Sequence, residues 1–206
     1  MEFIKDPRAI EDTSMDIIEQ CVPWIKELPE GEMQIVRRII HTTGDPDIAK
    51  LVKIHPEAVA SGLQAMRQGK PIFTDVQMLR SGISSIQLEQ FGIETMCLIK
   101  DPEIAAEAKR TGKTRAMIAM AKAAPGLDGA IIAIGNAPTA LFELCEMVRR
   151  GELRPALVVG TPVGFVGAKE SKEVLVETPV PYITVTGTRG GSTIAVAALN
   201  ALLKLA

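Results

Sequence analysis

Apolar positions in the first third of the chain recur at the spacing of an amphipathic helix. The pattern predicts that residues 8–22 form a helix with one apolar face, which ends because Pro23 cannot continue it. That face comprises Ile10, Ile17, Ile18 and Cys21. The same spacing predicts three further helices, over residues 30–42, 45–52 and 56–67. Residues 1–69 are therefore expected to form a helical segment.

The pattern changes after this segment, where short continuous apolar runs alternate with helical patterns. Five runs are bounded by turn residues, at 71–74, 95–99, 130–134, 156–159 and 182–185, and residues 137–150 and 192–205 have helical spacing. Apolar strands that alternate with helices are typical of a parallel sheet covered on both faces. We therefore expect a single α/β domain over residues 1–206 with three α/β/α layers. Its βα units, in residues 70–206, would form a mainly parallel sheet of about five strands.

Composition and charge exclude several classes of protein. The 206 residues are 47% hydrophobic, which supports a core and argues against disorder. A formal net charge of -2 and 3% aromatic residues argue against nucleic-acid binding. No uncharged stretch reaches the roughly 20 apolar residues of a membrane span, and the charged start of the chain is unlike a secretory leader. We expect a cytoplasmic protein, with no nucleic-acid or membrane partner, whose three cysteines are buried free thiols.

Small polar residues follow four of the predicted strands, where a parallel sheet binds its ligands. These residues are Thr74-Asp75, Gly135-Asn136, Gly160-Thr161 and Gly187-Thr188. Three such loops lead into a helix or a glycine-rich turn, where the backbone can approach a ligand and a helix start offers unpaired N–H groups. Together they favour a site for a ligand with several anionic arms. The alternative is that tight βα turns use Gly and Thr for conformational reasons alone.

Motifs of the common enzyme classes are absent from the sequence. It contains no dinucleotide-binding fingerprint, no P-loop and no nucleophile elbow in a suitable context. Two histidines and three scattered cysteines do not form a metal centre of the usual spacing. We therefore expect neither a metal nor a nucleotide cofactor.

His41 lies beside Arg37 and Arg38 on the polar face of the second predicted helix. An imidazole can exchange a proton near neutral pH, and the two arginines would attract an anionic ligand. A solvated polar face is the alternative. Ser14 interrupts the apolar face of the first helix, where it either bonds the carbonyl four residues earlier or contacts a ligand. Arg115 projects near a predicted helix start and either binds a carboxylate or remains exposed.

Four segments in this order resemble the precorrin-8X methylmutase family, also known in its cobalt-precorrin-8 form. They are residues 38–45 (RIIHTTGD), 134–142 (IGNAPTALF), 162–172 (PVGFVGAKESK) and 190–192 (GGS). The resemblance extends over nearly the whole chain, and its second and third segments are the most specific. Two departures are Lys169, where a small residue is expected, and Thr188-Arg189, where a more basic run is expected.

The resemblance implies an isomerase that moves a methyl group from C11 to C12 of a contracted tetrapyrrole, giving hydrogenobyrinate or cobyrinate. It further implies a cytoplasmic homodimer without a cofactor of its own. His41 would be the proton donor, and Ser14, Arg38 and Arg115 would contact the substrate. The loops at the strand ends extend the expected substrate-binding set, which then also includes Thr74, Asn136, Thr139, Gly164, Gly167, Gly190 and Ser192.

Two other functions remain open at this point. A non-catalytic tetrapyrrole carrier would retain the ligand with an unchanged visible spectrum. A nucleotide-binding module would use residues 187–192 as a phosphate loop and would be stabilised by ATP or NAD.

Overall fold

Six strands form one sheet in the computed structural model, which describes residues 4–206. The strands are β1 (Val52–Ile54), β2 (Ile72–Thr74), β3 (Thr95–Met96), β4 (Ile131–Ile134), β5 (Leu157–Gly160) and β6 (Tyr182–Val185). Their order across the sheet is β1-β6-β5-β4-β2-β3. All neighbouring strands are parallel except β1, which is antiparallel to β6. The expected mainly parallel sheet is confirmed.

Helices cover both faces of this sheet. Those in the described part of the chain are α1 (Pro7–Cys21), α2 (Glu30–Thr43), α3 (Ala58–Arg67), α4 (Gln77–Gly82), α5 (Ser85–Phe91), α6 (Pro102–Thr111), α7 (Arg115–Ala123), α8 (Pro138–Arg149), α9 (Ala168–Val176) and α10 (Ser192–Leu205). Three short 3₁₀ helices lie at Pro23–Glu27, Pro46–Leu51 and Ala124–Gly126. None of the helices within residues 4–206 is both long enough and apolar enough to cross a bilayer.

Alternate residues of the central strands pack against opposite helical layers. Ile131 of β4 lies in the core under α2, α3 and α10, whereas Ile132 lies in the core under α7, α8 and α9. Both side chains are fully buried. Because side chains of a strand alternate between its faces, this pattern produces the three layers.

Two of the expected elements differ from the structure. Residues 45–52 were expected to be helical, but Pro46–Leu51 forms a 3₁₀ helix and Val52 begins β1. The β-branched Val52 and Ile54 pair with β6, which adds an antiparallel sixth strand. The expected strand over residues 95–99 is shortened to β3, because the chain turns after it, with the nitrogen of Asp101 donating to the carbonyl of Leu98. Residues 1–3 of the expected helical segment lie outside the described residues.

The cysteines are free thiols but differ in burial. Cys145 is buried, Cys97 is half-buried and Cys21 is exposed. The expectation of three buried thiols therefore holds for Cys145, is met only in part by Cys97 and is wrong for Cys21. Its helix, α1, packs on α2 through Met15 and Ile18 and leaves Ile17 and Cys21 at the surface.

Candidate functional site

His41 lies in the last turn of α2, at one side of an open cleft of about 250 Å³. The cleft is lined by Ser14, Ile17, Ile18, Cys21, Ile40, His41, Gly44 and Pro46. Its walls are mostly apolar, and Ile17 keeps 53% of its surface exposed. An apolar cleft that contains one imidazole can bind a largely apolar ring and exchange a proton with it.

Ser14 shares this cleft, as expected for a substrate contact, although its hydroxyl proton is already used. The Ser14 hydroxyl donates to the carbonyl of Ile10 at 2.7 Å. This is the bond to the residue four positions earlier that helical serines commonly form. While this bond is kept, the hydroxyl group can meet a ligand in the cleft only as an acceptor.

The two arginines of α2 are paired with glutamates of α1. Arg37 lies 3.2 Å from Glu19, and Arg38 forms an ion pair with Glu11. The ammonium of Lys204 and the guanidinium of Arg38 hold the pKa of Glu11 below its ordinary value. These pairs partly neutralise the cations expected next to His41.

Arg38 also faces a second and larger cavity of about 510 Å³, between α2, α4 and α10. Ser192, at the start of α10, and Thr42, the neighbour of His41, line the same cavity. Arg38 and Ser192 are thus brought together by the fold in a cavity that Ser14 does not line.

The carboxylate of Asp75 organises the turn between β4 and α8. It accepts hydrogen bonds from the backbone nitrogens of Gly135 at 3.0 Å, Asn136 at 2.8 Å and Ala137 at 2.8 Å. Burial raises the pKa of Asp75, and the three backbone donors oppose that rise. The N–H groups that the sequence suggested for ligand carboxylates are therefore occupied by a carboxylate of the protein itself.

The other candidates near this turn divide into buried and exposed residues. Thr74 is fully buried and donates to the carbonyl of Met96 at 3.3 Å. Thr139 lies 2.8 Å from the hydroxyl of Thr114, which caps α7 directly before Arg115. Asn136 and Arg115 are exposed, and Arg115 has no ion-pair partner within residues 4–206. Arg115 is thus a cation that is free to meet an anionic group.

Glycines in the loops after β5 and β6 have different roles. Gly164 and Gly167 have positive φ angles and flank Phe165 and Val166, which are 93% and 90% exposed. By contrast, Gly190 lies against the loop after β5, where a Cβ atom would collide with the carbonyl oxygen of Pro162. The first pair presents an apolar tip, whereas Gly190 permits close packing.

Backbone bonds join these loops to one another and to α10. The nitrogen of Gly164 donates to Thr188 at 3.2 Å, and that of Gly191 donates to Thr161 at 2.7 Å. Because the nitrogen of Gly191 is already used, residues 187–192 lack one of the donors that a phosphate loop would offer. Across the described ranges, no three His, Cys, Asp or Glu side chains are grouped to hold a metal ion.

Three charged residues that the sequence did not mark as candidates make specific contacts in the structure: Lys172, Arg189 and Asp45. Lys172 in α9 is buried, and desolvation lowers its pKa to about 8. Arg189 pairs with Asp45 at 2.5 Å, which joins the loop after β6 to the end of α2. The sequence carried a signal for Lys172, because this lysine shares the buried face of α9 with Ala168, Ser171 and Leu175.

Comparisons with known proteins agree with the resemblance. Residues 9–205 match the family model described as precorrin-8X methylmutase. A cobalt-precorrin-8 methylmutase from Leptospira interrogans is 47% identical, covering 96% of this chain and 93% of the relative. A precorrin-8X methylmutase from Pseudomonas aeruginosa is 37% identical, covering 98% and 97%. The solved structure of a precorrin-8X methyl mutase from Thermus thermophilus has a TM-score of 0.88 at 45% identity, covering 96% of this chain and 95% of that one.

Proposed function

Because the chain belongs to the precorrin-8X methylmutase family, we propose that it moves a methyl group from C11 to C12 of precorrin-8X or cobalt-precorrin-8. The products are hydrogenobyrinate and cobyrinate. The bond from the methyl group to C11 breaks as the bond to C12 forms, so the substrate and the product contain the same atoms. The protein therefore has to hold the macrocycle and control a proton.

The observation that carries this proposal is the position of His41 in an apolar cleft. The imidazole is exposed at the end of α2, beside walls formed by residues such as Ile17 and Ile40. We assign His41 as the proton donor to the macrocycle, which gives up one proton after the methyl group has moved, so that substrate and product remain isomers. Ser14 is assigned as a contact to the ring from the opposite wall.

The remaining assigned contacts would bind the carboxylate arms and the edge of the ring. Arg38 and Arg115 supply the charges, and the exposed Asn136 supplies an amide. The other proposed contacts are Thr139, Gly164, Gly167 and Ser192. Thr74 and Gly190 are assigned a supporting role, because both lie in contact with protein groups.

Incubation with precorrin-8X, and in parallel with cobalt-precorrin-8, tests the activity. Methyl migration changes the conjugation of the ring, so we expect the visible spectrum to change and the product to co-elute with hydrogenobyrinate or cobyrinate. A bound substrate with an unchanged spectrum would contradict the proposal and support a carrier. The form that reacts identifies the substrate of this chain.

We also propose that the protein is a homodimer of single-domain protomers and that it acts in the cytoplasm. Several large apolar side chains are exposed, including Met78 at 72%, Ile86 at 78% and Phe165 at 93%, and a dimer interface that buried them would be favoured by the hydrophobic effect. The three free thiols support a reducing compartment. Light scattering should give twice the protomer mass of 22.1 kDa, and a particle of the protomer mass alone at micromolar concentration would contradict the dimer.

A further inference from the structure

Lys172 is a buried lysine that forms one specific hydrogen bond. Its side chain is among the largest fully buried ones, at 1% exposure, and Nζ donates to the backbone carbonyl of Arg189 at 2.5 Å. Burying an ammonium group is costly, and lysines are almost never fully buried without a partner. An apolar side chain would pack there at lower cost, as Leu175 does one turn later in α9. The lysine therefore has a purpose other than packing.

The carbonyl of Arg189, which accepts the hydrogen bond from Lys172, belongs to the loop after β6. Backbone bonds fix this loop at Thr186, Thr188 and Gly191, whose partners lie in the segments around Leu51, Gly164 and Thr161. This loop contains two glycines with positive φ angles, Gly187 at 76° and Gly191 at 120°. Glycine adopts many backbone conformations, so the loop needs contacts to hold it in one of them. The bond from Lys172 adds the fixed point at Arg189.

The side chain of Arg189 extends from this fixed point to the end of α2. Its guanidinium pairs with Asp45 at 2.5 Å, and Asp45 also accepts from the nitrogen of Asp47 at 3.0 Å. Asp45 lies between Gly44 and Pro46, which both line the His41 cleft. A half-exposed ion pair contributes only about 0.2–1 kcal/mol by itself. The ion pair can therefore hold Asp45 in one position only if the backbone of Arg189 is itself held in place.

We infer that Lys172 is a positioning residue for His41, acting through Arg189 and Asp45. The buried ammonium fixes the Arg189 backbone, and the Arg189 guanidinium then fixes the turn that follows α2. His41 is thereby held at the orientation that proton transfer to the macrocycle requires. The role in turnover rests on the proposed function, whereas the effect on His41 can be measured without any substrate.

Lys169 offers a matched control on the same helix. The pocket beside Lys172, of about 220 Å³, is also lined by Lys53, Lys169, Glu173 and Glu177. Lys169 points to solvent, with 57% of its side chain exposed, and pairs with Glu173 at 3.7 Å. The variant Lys169→Met removes one positive charge from this helix without removing the bond to Arg189.

Proton NMR of the histidine rings tests the inference, because the chain contains only two histidines. His55 lies beside the start of β6, at the end of that strand opposite to the Arg189 loop, where its backbone nitrogen donates to the carbonyl of Tyr182. It serves as an internal reference. We expect Lys172→Met and Arg189→Met each to shift the ring resonance of His41 and to leave that of His55 in place. The double variant should shift the His41 resonance no further than the single variant with the larger shift, because Lys172 acts on His41 only through Arg189. Lys169→Met should shift neither resonance.

An unmoved His41 resonance in folded Lys172→Met, or additive shifts in the double variant, would overturn the inference. Arg189→Met changes an exposed side chain and should fold, so an unmoved His41 resonance in that variant overturns it as well. In turnover assays, both single variants should lose about tenfold in kcat with little change in KM, as expected for misplacement of a catalytic group. Failure of the parent protein to turn over would contradict the proposed function, while the NMR result would still decide the positioning contact.

Discussion

The buried carboxylate of Asp75 lies 2.8 Å from the backbone nitrogen of Asn136, at the carboxyl ends of two adjacent parallel strands. The same carboxylate also binds the nitrogens of Gly135 and Ala137. Asp75 thus sets the shape of the turn that presents Asn136 to solvent. Its role is to build the site and not to bind the ligand.

Replacing Asp75 by Ala should destabilise the protein by more than 2 kcal/mol. The change leaves up to three backbone N–H groups without an acceptor, and each buried unsatisfied group costs about 1–3 kcal/mol. Urea unfolding measures the loss, with Asp75→Asn as the control that keeps one carbonyl oxygen. Equal unfolding midpoints for Asp75→Ala and the parent would show that water replaces the carboxylate.

Much of the fold was predictable from the spacing of apolar residues. The runs at β4 and β5 are buried on both faces, so their continuous apolar character identified them as central parallel strands. By contrast, β1 was missed, because it is an edge strand of three residues whose pairing with Val185 is not visible locally. A short edge strand shows little periodicity in its sequence, and whether it forms depends on pairing with a strand that is distant in the chain.

The candidate site was predictable in part. His41 and Ser14 line one cleft, whereas the patterns of α1 and α2 marked each of them only separately as a candidate ligand contact. The partners of the N–H groups after β4 were not predictable, because Asp75 is 60 residues from Gly135 in sequence. The contact between Lys172 and Arg189 was not predictable for the same reason, since only the packing of α9 against the loop after β6 brings the two residues together.

Arg115→Ala should weaken substrate binding and leave the stability of the fold unchanged. Arg115 is exposed and unpaired among the residues described, so its loss breaks no internal contact, whereas a charge-assisted bond to a carboxylate is worth about 1.5–3 kcal/mol. This corresponds to roughly a tenfold to hundredfold rise in Kd. Titration of the tetrapyrrole measures it, with Arg110→Ala as the control at an exposed arginine of α6. Unchanged affinity in Arg115→Ala would remove Arg115 from the site.

Lys172 should make a contribution to the free energy of unfolding that rises with pH between about pH 8 and pH 10.5. Burial lowers the pKa of Lys172 from 10.5 to about 8, so in this range the native chain binds fewer protons than the unfolded chain. The contribution of Lys172 to the free energy of unfolding then increases with pH, by at most about 1.4 kcal/mol per pH unit. Urea unfolding of the parent and of Lys172→Met at several pH values isolates this effect. Parallel pH profiles for the two proteins would contradict it.

The central claim is that His41 donates a proton during methyl migration, and single-turnover spectroscopy of His41→Asn tests it most directly. His41 is exposed, so its replacement opens no cavity, and Asn keeps a hydrogen-bonding group but cannot donate the proton as an acid. We predict that His41→Asn folds, binds precorrin-8X or cobalt-precorrin-8 with an affinity close to that of the parent, and converts it at least about a hundredfold more slowly. Conversion by His41→Asn at nearly the rate of the parent would contradict the assignment of His41 as the acid.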